Sequence, residues 1–399
     1  MPNLYRMFQS IPYAVALYGS PGVTVRRVFR VLRRDGIAGV LRRVFILLKD
    51  IASGNARQDF QDKSDIVNSS LLDACFWGRD SHSSLPPDAL ASLYIRTCRM
   101  KIGERKPMPG FHPGVYRDLH GVSDEHANSF ADYIRAGLPA GPWALPLIRN
   151  TDACQELAGN PRIALHLHVF YEDILEEIID RLLANTIRPD LFVSIPDGKP
   201  VEECRKILMN YPGQLVALES VPNRGRDIGP FLTGFGARIA ENYDFVGHLH
   251  TKKSVHSERE IGENWRTFLL ENLLGSSSNR MMDRILGFMS NTPTVGMVFP
   301  DDPNIVGWTK NKPSADTLAE RLGMTELPEN FSFPIGTMFW ARVDALRRFW
   351  TLGLKWEDYP EEPLPLDGTI LHALERLFPL GLAAGLNQCV VTHVAGVTR

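Results

Sequence analysis

The stretch Asn223-Arg224-Gly225-Arg226-Asp227-Ile228-Gly229-Pro230-Phe231 gathers two guanidiniums, a carboxylate and two glycines in a few residues. It follows a β-like run over 215–221 and opens a helix expected over 231–240. A strand-to-helix turn presents backbone N–H groups and the positive end of a helix dipole, where anions bind. Arginines beside such a turn can hold phosphate in a planar, bidentate grip. The bland alternative is a polar loop in which Asp227 neutralises an arginine and the glycines make the bend. A second polar cluster, His248-Leu249-His250-Thr251-Lys252-Lys253-Ser254, ends the next expected strand. His248 and His250 stand two residues apart on extended chain and so point to one side. They suit a transition metal, or hydrogen bonds to phosphate with Lys252 and Lys253 supplying the charge.

The elements that must position these groups begin near residue 160. Apolar patterning predicts strands over 163–169, 191–195, 215–221 and 245–249, with helices over 173–184, 201–209 and 231–241 between them. Ile174, Ile178, Leu182 and Leu183 stand at helical spacing in the first of these helices. Alternation of this kind predicts an α/β fold, a mostly parallel sheet with helices on both faces. Ligands of such sheets bind at the carboxyl ends of the strands. Those ends carry His166, His168 and Tyr171, then Asp197, then Asn223, Arg224, Arg226 and Asp227, then His248, His250, Lys252 and Lys253. Four successive polar strand ends are a stronger signal than any one motif. Asp301-Asp302 ends a later strand and keeps a metal site with His248 and His250 open, although a solvated turn would look the same.

At 399 residues the chain is long enough for about two domains. Its net charge of −2 argues against a nucleic-acid partner. The charge is uneven: nine basic side chains against two acidic ones leave residues 1–50 at +7, which puts the remainder at −9. Arginines interleaved with Val, Phe and Leu in that segment predict basic amphipathic helices, suited to an anionic membrane surface or to packing on the protein itself. The cysteines Cys75, Cys98, Cys154, Cys204 and Cys389 are scattered and odd in number, which fits a reducing cytoplasm. No apolar run reaches the roughly 18 residues of a membrane span. The patterning divides the chain into basic helices over 1–52, an irregular loop-rich arm over 53–158 with short helices over 87–98 and 124–136, and the sheet domain over 159–399.

Five segments in order, "HLHVFYEDILEEI", "NRGRDIGPFL", "GHLHTKKS", "GTMFWAR" and "DGTILHALERL", resemble the rhamnan synthesis protein F family. The match covers roughly 160–395, and "PMPGFHPGVY" and "GLPAGPW" resemble the arm that often precedes this domain. The resemblance implies a glycosyltransferase of the GT-A type that builds bacterial surface polysaccharide. It implies a nucleotide-sugar donor, dTDP-rhamnose, and a glycan or lipid-linked glycan acceptor. Asp197 is similar to the acidic residue that reads the nucleotide base, and Arg224 and Arg226 stand where the diphosphate approaches. Where many such enzymes carry Asp-x-Asp for a divalent metal, this chain has His248-Leu249-His250, a departure that favours metal-free diphosphate binding. Asp367, just before a helix expected over 368–377, resembles the acceptor base, although Asp there is also a preferred helix cap. Glu361 and Glu362 are the reserve candidates. His372 and Glu375 lie on the same helix, and His393 ends the last strand, as a late histidine near the phosphates does in some relatives. Two rival readings are a metal-dependent hydrolase built on the two H-x-H elements and a non-catalytic assembly scaffold.

Overall fold

A computed structural model of the chain describes residues 55–78, 84–99, 104–122, 128–251 and 259–397. The expected basic helices of 1–50 and the side chains of Lys252 and Lys253 lie outside these residues. Two compact units are present, one of residues 1–144 with 303–305, the other of 145–302 with 306–399.

The described part of the first unit is helical, and two of its helices fall on the short ones expected within the loop-rich arm, over 87–98 and 124–136. It contains α1 (Asn55–Ser69), α2 (Ala74–Trp77), α3 (Pro87–Arg99), α4 (Pro113–His120) and α5 (Ser129–Arg135). Its aromatics, which look like loop punctuation in the sequence, make a core of their own. Phe111 stacks on Tyr133 at 4.3 Å, and Trp77, Tyr94, Tyr116 and Phe130 surround them. Caps start the short helices: Asp73 accepts from the backbone of Cys75 and Phe76, and Asn128 from that of Phe130 and Ala131. Asp59 and Asp62 are fully buried and survive there because Arg99 and Arg135 reach them at 2.5 and 2.7 Å.

The second unit is an eight-stranded sheet in the order β1-β8-β6-β7-β5-β2-β3-β4. The strands are β1 (Leu147–Arg149), β2 (Ile163–His168), β3 (Asp190–Pro196), β4 (Leu215–Val221), β5 (Phe245–His250), β6 (Val295–Pro300), β7 (Phe339–Arg342) and β8 (Gln388–His393). All pairings are parallel except those of β7, which runs antiparallel between β5 and β6. The expected mostly parallel α/β fold is therefore present. The sheet begins upstream of 159, because β1 pairs with β8 along the edge. β2, β5 and β6 are buried along their whole length, which is why they read as continuous apolar runs.

One face packs Leu165, Leu167 and Val193 under α6 (Leu175–Leu183), α9 (Arg259–Leu273) and α10 (Met281–Asn291), while α7 (Val201–Leu208) and α8 (Gly236–Asn242) complete the βα repeats. The other face packs Phe192, Phe231, Phe235 and Phe339 with α13 (Ile370–Leu380); α11 (Lys312–Arg321) and α12 (Arg347–Trp350) lie between β6 and α13 in the chain. The helix expected over 231–241 starts instead as a π-turn, Pro230–Gly234, closed by Phe235 N–H to Pro230 O at 3.0 Å. The chain passes from β2 outward through β3 to β4, then returns to β5 on the other flank of β2. The strand order reverses between β2 and β5, and the crevice at that point is where open α/β sheets take ligands.

Gly247 in β5 lies under Trp340 of β7. A Cβ there would stand 2.7 Å from Leu165 Cδ1 and from the indole ring. Gly247→Val is expected to lower unfolding free energy by about 1–3 kcal/mol through overpacking, read as a lower urea midpoint. An unchanged midpoint would mean that the sheet has room for a side chain at its centre.

Candidate functional site

The register of β2 on β5 sets His166 beside His248 and His168 beside His250. All four imidazoles lie on the sheet face that Phe231 and Phe235 cover, for the alternate residues Leu165, Leu167 and Leu249 belong to the opposite face. His166 and His248 are fully buried, their rings parallel within 2° and their Nδ1 atoms 2.9 Å apart. His166 Nε2 lies 3.0 Å from Ser194 Oγ, and His168 Nδ1 lies 2.9 Å from the same oxygen. At the other end, His248 Nε2 meets Asp227 Oδ2 at 3.1 Å. Asp227, His248, His166, Ser194 and His168 thus form one hydrogen-bonded chain through an apolar core. A buried polar group left unpaired costs about 1–3 kcal/mol, so the chain is what permits imidazoles here.

Burial opposes ionisation of Asp227, but His250 and the hydrogen bond from His248 outweigh it and hold the carboxyl well below its usual range. Burial, with His248 beside it, keeps His166 neutral. His168 is pushed down to about 3, chiefly by burial. These imidazoles therefore hold a fixed pattern of donors and acceptors near neutral pH. His250 takes a separate path. Its Nε2 donates to Gly336 O at 2.7 Å, and the N–H of the same glycine donates to Glu375 Oε1 at 2.7 Å.

Both ring nitrogens of His166 and of His248 are engaged within the fold. The expectation that these two touch a nucleotide directly gives way to a supporting place, because neither has a nitrogen to spare. Among the described residues no group of three or more His, Cys, Asp or Glu is arranged to hold a metal ion, and His248, His250 and Asp301 do not form one.

The arginine turn adopts left-handed backbone at Gly225 and Arg226, with φ of 76° and 49°. A Cβ on residue 225 would meet Gly229 Cα at 2.8 Å and the Tyr359 ring at 3.0 Å, so glycine lets the acidic segment 357–367 lie on the turn. Arg224 Nε donates to Tyr359 O at 2.5 Å, and its guanidinium stands 3.5 Å from Glu361. Arg226 stands 3.5 Å from Glu362. The two reserve carboxylates therefore face the two candidate phosphate-binding arginines. Asn223 is exposed beside them. Asp197 is exposed at the end of β3 and accepts from Ser220 Oγ at 2.5 Å. Next to it, Lys199 Nζ sits 4.5 Å from the ring centre of Phe170 and 5.8 Å from that of Tyr171. Thr251 Oγ1 ties the backbone of Phe170 and Tyr171 to the end of β5.

Asp367 does not cap α13, whose N-cap is Thr369. Its carboxylate accepts from Thr309 Oγ1 and Asn311 Nδ2, both at 2.6 Å, while Asn311 Oδ1 accepts from Gly368 N. Partial burial works against ionisation, yet these hydrogen bonds bring it down to about 2. Asp301 and Asp302 are buried at the end of β6. His393 ends β8, with β6 and β7 between it and β5. Ser194, Gly336, Thr309 and Asn311 escape the sequence reading. Only Ser194 leaves a trace there, as one hydroxyl in an otherwise apolar strand.

The family model for rhamnan synthesis protein F matches residues 131–384. The chain belongs to this family. The family resemblance read from the five segments is thereby borne out. Two relatives, each called uncharacterized protein WxcX, come from two strains of Xanthomonas campestris pv. campestris. Each is 33% identical over 258 residues, which is 63% of this chain and 36% of the relative. The chain thus spans about a third of the length of the curated relatives it matches. Among solved structures, it is similar to the mannosyltransferase PcManGT from Pyrobaculum calidifontis, solved with GDP-Man and Mn2+. The likeness has 15% identity and a TM-score of 0.32 and covers 62% of this chain and 60% of that one. No described helix is long and apolar enough to cross a membrane.

The depressed Asp367 carboxyl has a consequence in acid. A group whose folded value is lowered contributes stability above its unfolded value and loses it as pH falls through the folded one. Asp367→Asn can keep only one acceptor oxygen for Thr309 and Asn311. Wild type should therefore be the more stable at neutral pH, and the difference should vanish between pH 3.8 and about 2. Unfolding measured across that range tests this; a gap that persists below it would assign the stabilisation to something other than the charge.

Proposed function

We propose that the sheet unit is a GT-A-type glycosyltransferase that moves a sugar from a nucleoside diphosphate donor onto a growing bacterial surface polysaccharide. What carries this reading is the cluster of polar strand ends at the β2/β5 switch point in a chain of the rhamnan synthesis protein F family. We further propose rhamnose as the sugar, from dTDP-rhamnose, and a glycan or lipid-linked glycan as acceptor.

In this reading the nucleotide lies across the ends of β2 to β5. Asp197 accepts from the base, with Phe170 and Tyr171 beside it. Arg224 and Arg226 take the diphosphate by charge-assisted hydrogen bonds. Their contacts with Glu361 and Glu362 are 3.5 Å long and partly exposed, a class worth roughly 0–1 kcal/mol, so phosphate can replace them. His250, Lys252 and Lys253 complete the positive side without a metal, and His393 closes the site from β8. Asp367 is the acceptor base. Thr309 and Asn311 hold it ionised and fixed, and its remaining lone pairs are free for the acceptor hydroxyl. The basic segment 1–50 keeps the enzyme on an anionic membrane surface near a lipid-linked acceptor.

A thermal-shift screen of nucleotide sugars should single out a donor, since a ligand of the native state alone raises its melting temperature. Arg226→Lys should then weaken donor affinity by roughly tenfold, because the planar fork is lost. Asp367→Asn should leave donor binding in place and cut turnover by roughly 10²–10⁴. Unchanged turnover in Asp367→Asn together with loss in Glu362→Gln would move the base to the acidic segment.

Flotation with liposomes should require anionic lipid and weaken as salt rises. Equal flotation of a chain lacking residues 1–50 would remove the membrane assignment.

A further inference from the structure

With its imidazoles neutral, the hydrogen-bonded chain through the core has one consistent direction. Asp227 is ionised and only accepts, so His248 Nε2 carries a hydrogen. In a neutral His248 the other nitrogen, Nδ1, presents a lone pair, and His166 Nδ1 then donates to it. His166 Nε2 in turn accepts from the Ser194 hydroxyl, and the hydroxyl oxygen accepts from His168 Nδ1–H. Every donor points toward Asp227. The sequence of tautomers ends at His168 Nε2, which is left as a bare lone pair. No partner for that atom is present among the described residues. Ser194, His166 and His248 are 0% exposed, whereas His168 keeps 6% at the carboxyl end of β2, beside the switch point.

We propose that Asp227, His248, His166 and Ser194 are positioning residues that lock His168 as a hydrogen-bond acceptor, and that His168 Nε2 takes an N–H or O–H of the bound nucleotide. This rests on the nucleotide-sugar reading of the same site. A neutral imidazole without such a chain populates both tautomers and offers an N–H part of the time. The chain removes that alternative before the ligand arrives. Two groups of a thymine or uracil nucleotide supply the required donor: the imide N–H of the base and a sugar hydroxyl. Cytosine has no imide hydrogen, so the two sources can be told apart.

The test uses the full chain labelled with ¹⁵N-histidine, with nucleotide affinities measured alongside. Nitrogen signals of the wild type should place the hydrogen on Nδ1 of His168 and His166 and on Nε2 of His248, with assignments from His168→Gln and His166→Gln. Ser194→Ala should turn His168 into a mixture of tautomers and cost roughly tenfold in affinity. Asp227→Asn keeps an acceptor for His248 but removes the charge that sets the direction. It should give the same mixture and stands in if Ser194→Ala does not fold. If the imide is the partner, the wild type prefers dTDP and UDP over CDP and the variants lose that preference. If the 3′-hydroxyl of the sugar, which all three share, is the partner, all three nucleotides lose equally and a 3′-deoxy analogue weakens the wild type only; a 2′-hydroxyl would instead show as a loss for UDP and CDP that dTDP does not share. A wild-type His168 protonated on Nε2 would overturn the proposal. So would variants with mixed tautomers and unchanged affinity for every nucleotide. A wild type that binds no nucleotide, with the expected nitrogen signals, would overturn the donor-site reading and the ligand assigned here. The order of the chain would then still stand on the spectra.

Discussion

Parallel pairing of β2 with β5 places His166 against His248 and His168 against His250. A strand has a side-chain period of two, so a slip of β2 by one residue would turn His166 and His168 to the opposite face. They would then meet Leu and Ile under α6 and α9, with no hydroxyl or carboxylate to pair with. The correct register costs nothing of that kind, since Ser194 on β3 and Asp227 on the arginine turn close both ends of the chain. The polar pairs therefore select one register in a stretch where apolar side chains alone would tolerate several. The same pairs fix the end of β5, the path into β7 and the seat of Tyr171.

The arginine turn and the acidic segment form a second balance. Arg224 and Arg226 lie against Glu361 and Glu362 at 3.5 Å, while Tyr359 is held without a carboxylate: Arg224 donates to its carbonyl, and its hydroxyl meets Thr233 at 2.9 Å. The charges stay on the partly exposed rim while the aromatic ring is buried. An anion reaching the rim would compete with carboxylates held by weak, long contacts and would leave the buried anchor undisturbed.

The alternation of strands and helices from residue 163 onward was legible because buried parallel strands and amphipathic helices have different periods. Leu215–Val221 reads directly as the strand it is. In the first unit the helices expected over 87–98 and 124–136 were legible, and the others were not. Its helices are short, and Gly, Pro and aromatic residues mask the period, while its core depends on contacts such as Phe111 with Tyr133 that no local window contains. At the site, residue types at strand ends named the polar groups but not the contacts among them. That His166 and His248 spend every nitrogen inside the protein follows from the partner strand, and sequence spacing says nothing of it. Asp367 looked like a helix cap because helices often begin after Asp. The helix starts two residues later, and the carboxylate is held by Thr309 and Asn311 from more than fifty residues upstream in the chain.

The reversed direction of β7 has a topological consequence. A parallel strand is left at its carboxyl end, but an antiparallel one is entered there. The chain therefore quits β6 and enters β7 on the same rim of the sheet, the rim where His168 and His250 end their strands. The excursion between Pro300 and Phe339 starts and finishes beside the crevice without crossing to the far edge. It carries Thr309 and Asn311, so the groups that hold Asp367 come from the same excursion. A carboxylate on one side of the rim is thus held by a segment that both leaves and rejoins the sheet on that rim, while the histidine chain is held from within the sheet.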